Sequence, residues 1–367
     1  MIKINKKRLI KTFLDLVKIP SPSWHEKEVI QYIDSRLKKL NIKTKKTKCG
    51  TSYNLLARIS GNPNFESIIL SAHTDTVMPC NRVKPIIKNG IIYSEGKTIL
   101  GSDDKAAIAM FIEALEITIK NKLPHRPIEI LLSCAEEVGL QGIKNFNMSL
   151  LKSKYAFVFD NSGDIGNIII KTPYQYTYKI HVKGKSAHAG MEPEKGISAV
   201  KALASIIDKL PNGRIDKETT INVGKISGGT ATNIVPDMAF AELEMRSVQL
   251  HKIEALKNKL LKIIKKTESK YNAVIEYAEN LEYPGFIKSK DEYVVKIIET
   301  ALENISIKPI FTSSGGGSDA NILNSKGIDA VNIACGMTNP HSVNEYITVD
   351  NLIKGTELVL ELINTRC

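Results

Sequence analysis

The stretch SAHTDTV, at residues 71–77, ends an apolar run, SIIL, with two polar side chains. Side chains alternate between the faces of a strand, so His73 and Asp75 share one face and Thr74 lies on the other. The pair stands where the strand would emerge at its C-terminal end, which is where open α/β sheets build their sites. For this stretch alone two interpretations stay open: a strand running into a turn with an incidental polar pair, or part of a site.

Length, composition and charge exclude several classes of protein. The chain has 367 residues, of which 43% are apolar and 25% charged, which suits two globular domains and excludes a mainly disordered protein. The net charge of +12 comes from lysine-rich runs such as RLKKLNIKTKKTK, which are typical of solvated helix faces. No basic stripe is interleaved with aromatic residues, so we expect no nucleic-acid partner, although a preference for anionic substrates stays open.

The cysteines and the N-terminal segment predict a cytoplasmic protein. No CxxC pair occurs, and an odd number of cysteines in a long chain argues against a disulfide framework. The cysteines are Cys49, Cys80, Cys134, Cys335 and Cys367. Charged residues interrupt the early stretch LIKTFLDLVKI, which therefore does not resemble a secretory signal, and no apolar run reaches membrane-spanning length.

The first half of the chain alternates between strand-like and helical patterns. An amphipathic helix is predicted over residues 6–18, and a second follows with Ser23 as N-cap and Glu26 completing a capping box. Apolar strand-like runs then recur as YNLLARI, SIILSAH, IEILLSC and YAFVFD, with the helical DDKAAIAMFIEALEITIK among them. This alternation predicts a parallel or mixed sheet covered by helices.

After residue 170 the pattern changes to that of a smaller domain. The runs YQYTYKIHVKG, GISAVKALASIIDKL, TTINVGKI, MAFAELEMRSV, a lysine-rich helix and AVIEYAE give a β-α-β-β-α-β order. Helix–strand alternation then resumes and closes with DNLIKGTELVLELI. We predict an α/β fold: a mixed-sheet domain with helices on both faces, at residues 1–171 and 281–367. It is interrupted by a smaller inserted α+β domain at residues 172–280.

Four further polar clusters follow apolar runs: GSDDKAA, SCAEEVG, FDNSG and NPHSVNE. Each has a simple structural explanation when it is taken singly. Asp104 is interpreted as a helix N-cap, Glu136 and Glu137 could begin a helix, and His341 could be an exposed loop histidine.

Taken together, the clusters indicate a metal site. Two imidazoles and three carboxylates stand where strands end, a set that suits two Zn²⁺ ions sharing a bridging carboxylate. The set is His73, Asp103, Glu137, Asp160 and His341. Such a pair of metals can activate water and polarise a carbonyl. Glu136 would then be available as a general base, and Asp75 would accept the free N–H of His73.

The five motifs SAHTDTV, GSDDKAA, SCAEEVG, FDNSG and NPHSVNE, in that order, resemble the di-zinc peptidase family of peptidase T, acetylornithine deacetylase and carboxypeptidase G. SAHAGMEPEKGISAV is most similar to the peptidase T-like branch, the tripeptide aminopeptidases. The resemblance covers nearly the whole chain, and it implies that residues 1–171 and 281–367 form the catalytic, metal-binding domain and that the inserted residues 172–280 form a lid or dimerisation domain. It implies that His73 and Asp160 bind one metal, that Glu137 and His341 bind the other, and that Asp103 bridges them.

The resemblance also implies roles outside the metal cluster. Glu136 would pass a proton from water to the leaving amine, and His188 in GKSAHAG would stabilise the tetrahedral oxyanion, often across a dimer interface. Arg246 would anchor a peptide carboxylate with Asn233 beside it, although a surface ion pair stays open for Arg246. The segment SSGGGSDAN lines the substrate pocket in this family, which points to Gly316 and Asp319.

The sequence therefore predicts a cytoplasmic metallopeptidase with two Zn²⁺ per chain, or Co²⁺ or Mn²⁺, that removes the N-terminal residue from short peptides. An aspartate at position 160 resembles the aminopeptidase side of the family. An N-acyl amino acid deacylase or a carboxypeptidase is the alternative on the same site. A catalytically silent binding module is a further alternative. A homodimer through the inserted domain is expected, and neither a membrane nor a nucleic acid as partner.

Overall fold

The predicted strands and helices form two compact units in a computed structural model that describes residues 3–364. The first unit contains the chain up to Ile170, Lys288–Ser313, and the chain from Ser318 onward. The second contains Lys171–Ile287 and Ser314–Gly317. Helices, a mixed sheet and a separate α+β unit confirm the predicted fold class.

The helices are α1 (Lys6–Val17), α2 (Lys27–Lys38), α3 (Ser102–Lys120), α4 (Gln141–Lys144), α5 (Ala199–Lys209), α6 (Leu250–Tyr271), α7 (Tyr293–Asn304), α8 (Asp319–Ser325) and α9 (Val349–Ile363). The first strands are β1 (Lys43–Cys49), β2 (Ser52–Ile59), β3 (Ile68–His73), β4 (Pro85–Lys88), β5 (Ile91–Ser94), β6 (Ile128–Ser133), β7 (Tyr155–Asn161), β8 (Asn167–Thr172) and β9 (Tyr174–Lys183). The later strands are β10 (Gly213–Asp216), β11 (Thr219–Gly228), β12 (Met238–Ser247), β13 (Val274–Tyr283), β14 (Phe286–Ile287), β15 (Ile310–Ser313), β16 (Asp329–Ala334), β17 (Met337–Thr338) and β18 (Tyr346–Thr348).

The large sheet has the strand order β1-β2-β6-β3-β7-β16-β8-β14, and β15 pairs with β8. Its central strands β6, β3, β7 and β16 are parallel, whereas β1, β2 and β8 join antiparallel to their neighbours. Every residue of β3 and β6 is buried, as expected for parallel strands covered on both faces. Because β3, β6 and β7 are parallel neighbours, their carboxyl ends meet at one edge of the sheet.

Helix α3 packs at the centre of the first unit against α1 and α9. Its sequence KAAIAMFIEALEI is buried along almost its whole length, and its alanines allow close approach of neighbouring elements. Phe111 meets Phe159 of β7 edge to face at 5.2 Å between ring centroids. Glu113, also buried, forms an ion pair with Arg8 at 2.6 Å, so its charge is compensated.

A small sheet with the order β17-β18-β5-β4 holds the loop that contains NPHSVNE. β17 and β18 pair antiparallel through Met337 with Ile347 and Thr338 with Tyr346, which leaves residues 339–345 as the connecting loop. Asn339 and His341 have φ values of +53° and +60°, a conformation that is uncommon outside glycine. The backbone of this loop is therefore left-handed at two positions, one of which is His341 itself.

The second unit is a five-stranded antiparallel sheet with the order β10-β11-β12-β9-β13. Alternate residues of β12 are buried, including Ala241 and Leu243, and they pack with α5 and α6 in a separate hydrophobic core. The elements occur in the predicted β-α-β-β-α-β order, and the short strand β10 is an addition that the sequence did not indicate.

The predicted capping box at Ser23 and Glu26 is wrong. Glu26 is itself the N-cap residue of α2 and makes no side-chain hydrogen bond to the helix. The Ser23 hydroxyl donates to Asp75 Oδ2 at 2.7 Å, and Glu26 Oε1 accepts the N–H of Ala135 at 2.8 Å. Both side chains therefore bond to residues far along the chain, and the local sequence cannot reveal those partners.

Among residues 3–364, no helix has both the length and the apolar composition that crossing a bilayer requires. Cys49, Cys80, Cys134 and Cys335 are buried free thiols, and Cys367 lies outside the described residues.

A matched pair of isoleucines tests the location of the core. Ile130 in β6 is 2% exposed and Ile87 in β4 is 45% exposed. We expect Ile130→Ala to lower the free energy of unfolding by about 2–5 kcal/mol and Ile87→Ala by much less, because the former leaves a cavity. Urea unfolding of both variants measures this difference. Equal losses would contradict the placement of β6 in the core.

Candidate metal centre

The carboxyl ends of three parallel strands bring the first candidate residues together. His73 is the last residue of β3, and it pairs in register with Ser133, the last residue of β6. The SCAEEVG turn with Glu136 follows β6 directly, and Asp160 lies near the end of β7. The sheet therefore gathers an imidazole and several carboxylates at one edge.

The Asp103 carboxylate lies between two imidazole rings. Its Oδ1 is 2.9 Å from His73 Nε2, and its Oδ2 is 3.1 Å from His341 Nε2. Asp103 and His73 are buried, whereas the His341 side chain is 54% exposed on its loop. Each carboxylate oxygen thus faces a different ring, which is the arrangement that a bridging carboxylate requires.

Glu137 and Asp160 each lie beside one of the two rings. Glu137 Oε1 is 2.9 Å from His341 Nε2, and Asp160 Oδ1 is 3.6 Å from His73 Nε2. The structure therefore brings together all five side chains that the sequence predicts as ligands. That they bind metal stays a prediction.

Asp104 belongs to this cluster, and its side chain does not make the cap hydrogen bond that its predicted role as a helix N-cap requires. Asp103 and Asp104 have non-helical backbone conformations at the start of α3, and Asp104 Oδ2 accepts the backbone N–H of His73 at 3.2 Å. The peptide bond between Asp103 and Asp104 is cis. Potential ligand atoms of His73, Asp104 and Asp160 lie within 4.8 Å of one another, as do those of His73, Asp103 and Glu137.

Asp75 holds the turn that contains Glu136 and Glu137. Its Oδ1 accepts the N–H of Glu136 at 2.9 Å and its Oδ2 accepts that of Glu137 at 3.1 Å. Asp75 is also the predicted partner of His73 Nδ1, which lies 2.9 Å from the Asp75 carbonyl oxygen and 3.5 Å from its carboxylate, so the contact is made mainly through the backbone. Asp75 therefore orients the imidazole through its backbone and the turn through its side chain.

Two further residues hold this site and were missed by the sequence analysis. Glu26 accepts the N–H of Ala135, so that with Asp75 three successive amides of the turn are bound by buried carboxylates. Asn332 in β16 donates to the carbonyl of Asp160 and accepts its N–H, each at 3.1 Å. An asparagine inside the apolar run VNIAC was the available signal for Asn332.

Burial and mutual repulsion shift the pKa values of the clustered groups. Burial, reinforced by the charge of Asp160, raises the pKa of Glu136 well above its usual value. Burial also raises the pKa of Asp160 to about 6 and that of Asp319 to about 7. Hydrogen bonds to Asp103 and Glu137 raise the pKa of His341 to about 10. Burial and mutual repulsion thus disfavour the ionisation of all these carboxyl groups at once, because the cluster has only two imidazoles to compensate them.

A pair of divalent cations fits this donor set. Imidazole nitrogen and carboxylate oxygen are ligands that Zn²⁺ and other divalent transition metals accept. Asp104 Oδ1 is buried without a hydrogen-bond partner among the described residues, so a cation would also satisfy an orphaned oxygen. The carboxyl groups at or near the cluster are the buried Asp75, Asp103, Asp104, Glu136 and Asp319 and the partly buried Glu137 and Asp160.

The second unit places His188 and Asn233 side by side. Ala189 donates its N–H to the carbonyl of Asn233 at 2.9 Å, and His188 forms a β-bridge with Ile234. His188 Nδ1 accepts N–H groups of Gly190 and Met191, at 3.2 and 3.1 Å. A ring nitrogen that accepts hydrogen bonds is unprotonated, so the neutral imidazole carries its proton on Nε2.

The second unit also brings Arg246 to the glycine run. Arg246 Nη1 donates to the carbonyl of Gly315 at 3.0 Å, and Gly316 donates its N–H to Ser314 Oγ at 3.0 Å. The Nε and Nη2 groups of Arg246 each donate to Glu244 at 3.0 Å. The guanidinium is thus in an ion pair, and its predicted contact with a substrate carboxylate stays a prediction. Asp319, the remaining predicted pocket residue, is buried at the start of α8 in the first unit.

Comparisons with known proteins show similarity to peptidases. Residues 54–195 match the sequence model of peptidase family M28, and residues 175–272 match that of the peptidase dimerisation domain, of M20 type. An uncharacterized protein of Bacillus subtilis, YqjE, is 37% identical over 366 residues and 98% of each chain.

Two solved structures are similar over nearly their whole length. The crystal structure of aminopeptidase PepT from Bacillus cereus has a TM-score of 0.92 and 37% identity, with 98% of each chain covered. A tripeptidase from Staphylococcus aureus has a TM-score of 0.94 and 34% identity, again with 98% of each chain covered.

The excess of carboxylates predicts that divalent cations stabilise the metal-stripped protein. At a free Zn²⁺ concentration of 100 times the dissociation constant, the free energy of unfolding should increase by about 2.7 kcal/mol per site. This increase is measured as a rise in the thermal unfolding midpoint. His341→Ala should reduce this rise. His125→Ala is the matched control, because His125 lies outside the cluster and its Nδ1 contacts the carbonyl oxygen of Arg126 at 2.9 Å. An equal zinc-dependent rise in both variants would contradict the assignment of His341.

Proposed function

Because the chain belongs to the peptidase T-like metallopeptidases of the M20 family, we propose that it removes the N-terminal residue from tripeptides and other short peptides. The observation that carries this proposal is the Asp103 carboxylate between His73 and His341, with the buried Glu136 close by. The aminopeptidase and tripeptidase that share its fold at 34–37% identity support the substrate class.

Two cations would be held in two sets of ligands that share Asp103. His73 and Asp160 belong to one set, and Glu137 and His341 to the other. Bound cations of this kind polarise a scissile carbonyl and lower the pKa of an attacking water molecule. We propose Zn²⁺ as the cation, with Co²⁺ and Mn²⁺ as substitutes, because the donors are nitrogen and oxygen without thiolate.

Glu136 would act as the general base and then as the general acid. Its carboxylate takes a proton from the attacking water and delivers it to the amine that leaves when the C–N bond breaks. Burial raises the pKa of Glu136, which favours a group that can hold the proton between the two steps. Asp75 would keep Glu136 in place, because it binds the N–H of Glu136 itself.

The second unit would supply groups that bind the substrate. The Nε2–H of His188 is the donor that a developing oxyanion requires, and its two Nδ1 contacts fix that tautomer. Arg246 would bind the peptide carboxylate in exchange for part of its contact with Glu244, with Asn233 and Gly316 beside the bound peptide. Asp319 would also line the substrate pocket.

The chain would act as a homodimer in the cytoplasm. The match of residues 175–272 to a peptidase dimerisation domain supports a second copy as the partner of this unit. Its surface includes the exposed apolar side chains Met191, Ile226 and Met238, which are 76%, 60% and 48% exposed. Apolar side chains in such numbers suit burial against another protein surface.

Replacing the proposed base tests the mechanism. Glu136→Gln keeps the shape of the side chain but cannot accept a proton, so kcat should fall by about 10²–10⁴-fold while metal content stays the same. Glu95→Gln is a matched control, because the Glu95 side chain is 59% exposed and outside the cluster. Metal analysis and steady-state rates on one preparation measure both quantities. Wild-type turnover in Glu136→Gln would exclude Glu136 as the base.

A substrate panel separates aminopeptidase from deacylase activity. The zinc-loaded protein should release the N-terminal residue from a free tripeptide and should not cleave the same tripeptide after N-acetylation. Mass spectrometry of the products identifies the bond that is cut. Preferred release of the acyl group from N-acetylated amino acids would support the deacylase alternative, and release of the C-terminal residue would support a carboxypeptidase.

A further inference from the structure

Glu345 is a buried carboxylate in the same loop as His341, four residues further along the chain. It is 1% exposed, and no lysine, arginine or histidine forms an ion pair with it among the described residues. The buried Lys105 is a nearby positive charge, but its amino group donates to the carbonyl of Ile19 at 2.7 Å, and a buried carboxylate without an ion-pair partner is costly unless hydrogen bonds satisfy it. The role proposed above for the site does not use this group.

The Glu345 carboxylate binds the segment that leads into Asp103. Its Oε2 accepts the N–H of Gly101 at 2.7 Å, and its Oε1 accepts the Ser102 hydroxyl at 2.5 Å and the N–H of Asp103 at 3.0 Å. Gly101 has a φ of +78°, a conformation that favours glycine, so this segment has a fixed turn at the position that Glu345 binds.

These contacts connect two segments that are 242–244 residues apart in sequence. One contributes Asp103 and the other contributes His341, the half-exposed ring on a loop between two short strands. His341 Nε2 and Asp103 Oδ2 are 3.1 Å apart, and no regular pairing of the large sheet positions the His341 loop. The small sheet holds the two ends of the His341 loop, and Glu345 adds a direct hydrogen-bonded connection between the two ligand-bearing segments.

We propose that Glu345 is a positioning residue that fixes Asp103 relative to His341 and thereby sets the affinity of the cation held by Asp103, Glu137 and His341. This inference rests on the proposed two-metal function. The cation on the side of His73 and Asp160 depends less on Glu345, because β3 and β7 of the large sheet hold those two residues.

Zinc titration of full-length Glu345→Gln against a chromophoric chelator tests the proposal. An amide has one acceptor oxygen and would point its NH₂ at a backbone N–H or at Ser102. One of two zinc ions should therefore bind about 10–100-fold more weakly, while the other keeps its affinity. When the variant is titrated with Co²⁺, the visible absorption that appears with the second equivalent should differ from that of the wild type. The absorption that appears with the first equivalent should be the same.

Glu129→Gln is the matched control for loss of a buried carboxylate. Glu129 is 4% exposed and accepts the N–H groups of Lys152 and Ser153 at 2.9 Å, but it lies at the opposite end of β6. The Glu129→Gln variant should bind both zinc ions with wild-type affinity and should have the cobalt spectrum of the wild type.

Ser102→Ala provides a second variant in case Glu345→Gln does not fold. It removes one of the three hydrogen bonds to Glu345 and should lower the affinity of the same zinc ion by a smaller factor. The proposal would be overturned if either folded variant bound both zinc ions with wild-type affinity. It would also be overturned if both affinities fell by the same factor. Fewer than two zinc ions in the wild type would instead contradict the proposed function itself.

Discussion

The contact of one carboxylate with two imidazoles is the interaction on which the rest of the site depends. Asp103 reaches His73 at the end of a central strand and His341 on a distant loop, at 2.9 and 3.1 Å. Further buried carboxylates surround this contact, and their repulsion disfavours the arrangement unless positive charge compensates it. A site that gathers negative charge at this density is suited to divalent cations, and the proposed chemistry follows from that property.

The first unit holds this arrangement mainly through the backbone of its ligand-bearing segments. Asp75 and Glu26 bind successive amides of the turn after β6, and Asn332 binds both backbone groups of Asp160. Glu345 does the same for the segment before Asp103. Buried hydrogen bonds of this kind favour one arrangement, because an alternative would leave buried polar groups unsatisfied. The ligands can therefore stand on loops and still have fixed positions.

The sequence predicts the candidate ligands of this site better than the residues that hold those ligands in place. Period-two alternation placed His73 at a strand end, and the order of polar clusters placed Asp103 with it. Ser23 was assigned to a helix cap, because capping rules describe local partners, whereas its actual partner is Asp75, 52 residues away. Asn332 lies inside an apolar run, and only the parallel pairing of β16 with β7 shows what its side chain binds. Long-range hydrogen bonds leave no periodic signal in a sequence.

The most direct test of the central claim is a crystal structure of the zinc-loaded protein with anomalous diffraction data on both sides of the zinc absorption edge. The account predicts two anomalous peaks, one on each side of the Asp103 carboxylate, the first next to His73 and the second next to His341. No peak at Asp103 with zinc bound elsewhere would contradict the claim that this carboxylate bridges two cations.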